Sequence, residues 1–190
     1  SNENKTGDFL ISKNPTGSSL KKFSSDLDRT WPGYRDTQFH VVKKINIDII
    51  TLEKFCLENE IKEINYLHID TQGNDLNVLK GLGKFRRNVH KGILEAAINK
   101  KDALYEDNHT LEEVQNYFDE YGYKVVSIDP IDNNIKNEVN IKFENKKVNN
   151  PYKINTKYNS RYFFRVINNK TYLKDDIKDF FLRLLNTFFK

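Results

Sequence analysis

Residues 64–85, INYLHIDTQGNDLNVLKGLGKF, change hydrophobic period once, and that change limits the folds open to the chain. Up to Asp70 the pattern alternates every second residue, as in a strand, with Ile64, Tyr66, His68 and Asp70 sharing one side. From Asn74 it follows helical spacing, with Leu76, Leu79 and Leu82 forming the buried stripe together with Val78. Gly73 supplies a tight turn between the two and leaves room for a ligand beside the helix start. Asn74 reads as the N-cap, Asp75 suits the positive helix end, and the helix is expected to reach about Phe85.

The same rhythm recurs along the chain. Residues 8–12 read as a short strand, 14–19 as a turn cluster, 20–37 as irregular with a turn at Trp31-Pro32-Gly33, and 39–50 as one or two strands. Thr51 caps a helix in TLEKFCLENE, and a buried strand in 90–98 ends at Glu95. A capped helix runs from Thr110 to Tyr121, is stopped by Gly122, and is followed by the strand KVVSID. A loop-rich stretch is expected over 130–160 and a last strand over 160–167. Strands alternating with helices predict an α/β fold, a parallel sheet with helices on its faces. In open sheets of that kind, ligands bind beyond the carboxyl ends of the strands.

That rule points to Asp70 and Glu95. An aspartate at a strand end accepts hydrogen bonds from a cationic or hydroxylated ligand. A neighbouring imidazole, His68, suits a general base, because histidine ordinarily titrates near neutrality. Structural readings compete with each of these: Asp70 as a turn cap, His68 as a hydrogen-bonded strand residue, Glu95 as a loop tether. His40, His90 and His109 lack metal-ligand spacing and are expected at the surface, and no metal site is expected. Patterns of zinc hydrolases, serine hydrolases and phosphate-binding loops are absent.

Charge and composition narrow the class further. The 190 residues carry a formal net charge of +4 with both signs interspersed, which does not suggest nucleic-acid binding. No apolar run approaches the roughly 20 residues needed to span a bilayer, so no integral membrane segment is expected. The single cysteine, Cys56, excludes an intrachain disulfide and reads as a small buried apolar side chain. With the polar start SNENKTGD, this gives a cytoplasmic expectation. Residues 170–190 form an amphipathic helix, with Leu173, Ile177, Phe180, Phe181, Leu184, Leu185 and Phe188 on one face. It is expected to pack on its own domain or to serve as a homodimer interface.

The block from Ile64 to Gly81 resembles the signature of the FkbM-type methyltransferases. Its flanks agree: Thr51-Leu52-Glu53-Lys54-Phe55 upstream, then Leu94-Glu95, Leu104-Tyr105 and Tyr121-Gly122-Tyr123 downstream, with Ser18-Ser19-Leu20 near the front. His68 stands where the family usually has lysine, and Asp75 where it usually has glutamate. The resemblance implies a Rossmann-like class I methyltransferase sheet, represented here by its later strands and helices over residues 1–169, with 170–190 as an appended helix. It also implies S-adenosylmethionine as cofactor and transfer of a methyl group to a hydroxyl of a sugar or small metabolite. Asp70, Thr71, Gln72 and Gly73 are the expected cofactor contacts. Asp70, His68 and Glu95 are the expected catalytic set. Asp70 orients the cofactor amine or the acceptor, or alternatively takes Mg²⁺ with Gln72 or Asp75.

The family's glycine-rich cofactor loop does not occur in this sequence, nor does any methionine. The chain is therefore expected to be the C-terminal part of a longer enzyme, the remainder holding most of the cofactor. A binding or scaffold module on a degenerate methyltransferase fold is the alternative.

Overall fold

A computed structural model describes residues 1–131 and 137–146. The expected strand over 160–167 and the amphipathic helix over 170–190 lie outside the described residues.

The N-terminal part is a hairpin. Strand β1 (Lys5–Ser12) pairs antiparallel with β2 (Val41–Ile49) as a two-stranded sheet, separate from the main one. Between them, the segment expected to be irregular holds two single-turn helices, α1 (Leu27–Thr30) and α2 (Tyr34–Thr37), around the turn at Gly33. An aromatic and aliphatic cluster fills the space beside them: Leu27, Trp31, Phe39, Leu104 and Tyr105, with Phe23 packed against it.

Helix α3 (Leu52–Glu58) starts where Thr51 accepts a hydrogen bond from the Lys54 N–H, and it buries Cys56 almost completely. It leads to β3 (Ile64–His68), α4 (Asp75–Lys80) and β4 (Val89–Ala97). Strands β3 and β4 are parallel with α4 between them, a β-α-β unit. The expected stripe is buried at Leu76 and Leu79 of α4 and at Leu82 just beyond it, while Val78 is half-buried. The helix is shorter than expected, however, ending at Gly81 before a 3₁₀ stretch, Gly83–Asn88. Asn74 occupies the N-cap position without capping the backbone; its side chain accepts from Asn77 Nδ2 instead.

Helix α5 (Leu111–Tyr121) is the best-defined element. Thr110 and Glu113 form a reciprocal capping box, and Gly122 closes the helix at φ 78°, a left-handed conformation natural to glycine. Strand β5 (Tyr123–Pro130) follows, then β6 (Glu138–Asn145) in the stretch expected to be loop. The sheet order is β3-β4-β6-β5, and β6 runs antiparallel to both neighbours. The sheet is thus mixed, in place of the expected parallel one. Strand β5 is joined to β6 by a short connection, and such a link permits only an antiparallel return.

Leu94 faces Ile141, Gly92 faces Phe143 and Ala96 faces Val139 across the β4–β6 ladder. These residues pack with Leu76 and Leu79 of α4 and Val114, Tyr117 and Phe118 of α5 into one core. The opposite face carries Tyr66, His68, Lys91, Lys142 and Glu144, all exposed. Among the described residues, helices therefore cover one face, where both had been expected to be covered.

Two substitutions separate core from cap. Leu94→Ala removes a side chain with no exposure and is expected to cost about 2–5 kcal/mol. Thr110→Ala breaks the capping box and is expected to cost about 1 kcal/mol. Urea denaturation of both variants measures the difference.

Candidate functional site

Strand β3 places its last residues by simple alternation. Ile69 is buried, and Leu67 packs against the same core. His68 lies opposite Ile93 on the exposed face, so it shares that face with Glu95 of β4. The ladder carries one residue past β3, since the Ile69 N–H donates to Ile93 O at 2.9 Å. Asp70 follows immediately and is exposed. Glu95 is not the last residue of β4, which continues to Ala97, but it faces Asn140 near the carboxyl end.

Four carboxyl groups gather at this end of the sheet: Asp70, Asp75, Glu95 and Glu138 at the start of β6. Burial pushes Asp75 up to about 7, and the charge of Asp70 adds to the shift. The Thr71 hydroxyl and the backbone N–H groups of Thr71 and Glu95 offset part of it. Burial likewise raises Glu95 to about 8, reinforced by Asp70, Asp75 and Glu138 in turn. Glu138 rises to about 7, again chiefly through burial; the Leu104 N–H opposes the shift, and Asp70 adds to it. Like charges at close quarters in a poorly solvated place favour the protonated form. Near neutral pH this end of the sheet therefore holds carboxyl groups that can donate as well as accept hydrogen bonds.

The turn between Asp70 and α4 is held by its own side chains. Thr71 donates to Asp75 through its backbone N–H at 3.4 Å and its hydroxyl at 3.3 Å. Gln72 and Gly73 both have positive φ, 53° and 86°. A β-carbon on Gly73 would lie 2.9 Å from the Tyr105 ring, so the room expected for a ligand beside this glycine is filled by Tyr105. The Gln72 amide Nε2 donates to Asp70 Oδ1 at 2.5 Å, and Ser19 Oγ donates to the Gln72 carbonyl at 2.5 Å. Of the four expected cofactor contacts, Thr71, Gln72 and Gly73 are engaged within the protein; Asp70 accepts from Gln72 at Oδ1 and its carboxylate is exposed.

Sequence reasoning missed Glu138 altogether and treated Tyr105 and Ser19 as motif letters without a role. The signal for Glu138 was present. In EVNIKFEN, Val139, Ile141 and Phe143 alternate with polar residues, a strand pattern hidden in an Asn- and Lys-rich stretch. Of the histidines expected at the surface, all three are partly buried: His40 pairs with the Arg35 carbonyl, His90 lies 3.8 Å from Glu63, and His109 lies 3.6 Å from Glu113. Among the described residues, no group of three or more His, Cys, Asp or Glu side chains is arranged to hold a metal ion. None of their helices is long and apolar enough to cross a membrane.

Among known families, the model of the methyltransferase FkbM domain matches residues 2–125. No curated protein and no solved structure matches the chain.

Two outcomes test the site's energetics. A folded-state carboxyl raised above its ordinary value stabilises the protein fully below about pH 4, and that stability is lost as pH rises through the folded value. With Asp75, Glu95 and Glu138 raised to about 7, 8 and 7, they make the thermal midpoint fall between pH 5 and pH 8. Glu95→Gln is expected to flatten that slope and to exceed wild type at pH 8.5, as read by thermal denaturation. Gly73→Ala forces a side chain into the Tyr105 ring at positive φ and is expected to cost about 1–3 kcal/mol in urea denaturation.

Proposed function

Because this chain belongs to the FkbM methyltransferase family, we propose that it serves S-adenosylmethionine-dependent methyl transfer to a hydroxyl oxygen of a sugar or small metabolite. The observation that carries this reading is the gathering of Asp70, Asp75, Glu95 and Glu138 at one end of the β3-β4-β6 sheet, inside the span matched by the family. The β3-α4-β4 unit supports assigning the sheet to the later part of a Rossmann-like arrangement. A lone buried cysteine suits a reducing compartment, which we take to be the cytoplasm.

An exposed carboxylate at a strand end suits a cationic group, and Asp70 is the one that faces outward to meet it. S-adenosylmethionine, when bound, supplies an electrophilic methyl group on a positively charged sulfur and leaves as a neutral thioether. The chain's own residues then have two tasks. They must align the acceptor hydroxyl with the methyl carbon, and they must take its proton as the new C–O bond forms. Asp70 is assigned to the cationic cofactor, through its sulfonium or its amine. His68, on the same sheet face as Glu95, is assigned to proton removal. Glu95, neutral in much of its population near pH 7, orients the acceptor by donating a hydrogen bond to one of its oxygens.

Calorimetry on the intact gene product tests the reading. S-adenosylmethionine is expected to bind, and Asp70→Asn to weaken it about tenfold or more while affecting S-adenosylhomocysteine, which lacks the positive sulfur, much less. Absence of binding to the wild type overturns the proposal. With a panel of simple sugars as acceptors, His68→Ala is expected to slow S-adenosylhomocysteine release by about 10²–10⁴-fold and to remove a limb of the pH profile. An unchanged profile removes His68 from the mechanism.

A further inference from the structure

Resting on the methyl-transfer reading of this site, we propose that Tyr105 is a positioning residue that sets the orientation of the Asp70 carboxylate through the side-chain amide of Gln72. The argument starts from which hydrogen bonds are chemically permitted. Gln72 Nε2 lies 2.5 Å from Asp70 Oδ1, and Gln72 Oε1 lies 2.9 Å from Tyr105 Oη. An ionised carboxylate only accepts, so the amide nitrogen must face Asp70 and the amide oxygen must face Tyr105. Tyr105 then donates its single proton, shared between Gln72 Oε1 and the Gly17 carbonyl at 3.0 Å. Burial and the surrounding carboxyl groups push the phenol well above its ordinary range, which keeps that proton in place. The Gln72 amide accepts on one side and donates on the other. Glutamate in its place would set a carboxylate against Asp70.

The anchor of the relay is rigid. Tyr105 is 2% exposed, and its ring stacks on Phe23 with centroids 5.3 Å apart; Phe23 stacks on Phe39 at 5.4 Å. Ser19 fixes the other end by donating to the Gln72 carbonyl, so Gln72 is held by both its backbone and its amide. Asp70 itself is exposed. The bond from Gln72 constrains it at Oδ1 and leaves Oδ2 for a ligand. The aromatic cluster at the hairpin side thereby determines the direction of a carboxylate at the end of the sheet.

Tyr105→Phe removes the hydroxyl and keeps the ring, and Gln72→Glu keeps the shape and removes the donor to Asp70. Both are to be made in the intact gene product, with thermal denaturation confirming a folded state. Three-bond couplings report the Asp70 χ1 rotamer by NMR, and calorimetry reports S-adenosylmethionine affinity. The expected result is one Asp70 rotamer in wild type, averaging in both variants, and affinity reduced about tenfold. Wild-type binding with rotamer and affinity unchanged in Tyr105→Phe overturns the positioning role. If wild type binds no S-adenosylmethionine, the methyl-transfer reading falls, and the rotamer measurement alone then decides the link: averaging supports it, an unmoved rotamer overturns it.

Discussion

The turn at Gln72 and Gly73 is the constraint on which the rest of this structure depends. Two successive residues in left-handed backbone conformations reverse the chain between β3 and α4, and one of them is not glycine. Such backbone is costly unless its surroundings hold it. Here the Tyr105 ring fills the space beside Gly73, and Ser19 and Tyr105 both bond to Gln72. Those partners come from the hairpin region and from the segment after β4. The turn therefore joins the aromatic cluster to the sheet and fixes the strand end at which Asp70 emerges.

A second constraint is electrostatic. Three of the four carboxyl groups at this sheet end carry values near or above neutrality, each shifted mainly by burial. Burying groups in this way costs stability at the pH where they ionise, and hydrogen bonds from Thr71 and from backbone N–H groups only partly offset it. Nothing in the packing of the core requires them: Leu94, Ile141 and Phe143 complete the sheet's covered face without help from Glu95 or Glu138. Local costs of this kind concentrate where a protein meets its ligand.

Much of the fold was legible because several elements announce themselves twice, once by periodicity and once by a terminal residue. Helix α5 has its apolar stripe, its Thr110 and Glu113 box and its Gly122 stop. Helix α3 has Thr51. Strand β3 and the turn after it have alternation, then glycine. What was lost depended on partners distant in sequence. Whether β6 lies parallel or antiparallel, and between which strands, is set by tertiary pairing. The alternation in EVNIKFEN could have revealed a strand, but not its place in the middle of the sheet. Asn74 illustrates a subtler failure. Its type and position fit a cap, yet Asn77, one turn on, takes its side-chain oxygen.

At the site, the division between what was legible and what was not follows the same physics. The positions of Asp70 just after β3 and of Glu95 near the end of β4 were legible because alternation and strand direction determine where such side chains point. His68 could be placed on the face of Glu95 for the same reason. Tyr105 could not, because its contribution arises from a hydroxyl meeting an amide 33 residues away in sequence. Gly73 shows how one residue supports opposite inferences. Absence of a β-carbon suggested space for a ligand, whereas that absence admits the Tyr105 ring. The distinction matters for chemistry: a glycine that opens a pocket makes the backbone a ligand-binding surface, but a glycine that seats an aromatic ring makes the backbone a fixed support. In this protein the backbone beside Gly73 is such a support, and Asp70 emerges from it.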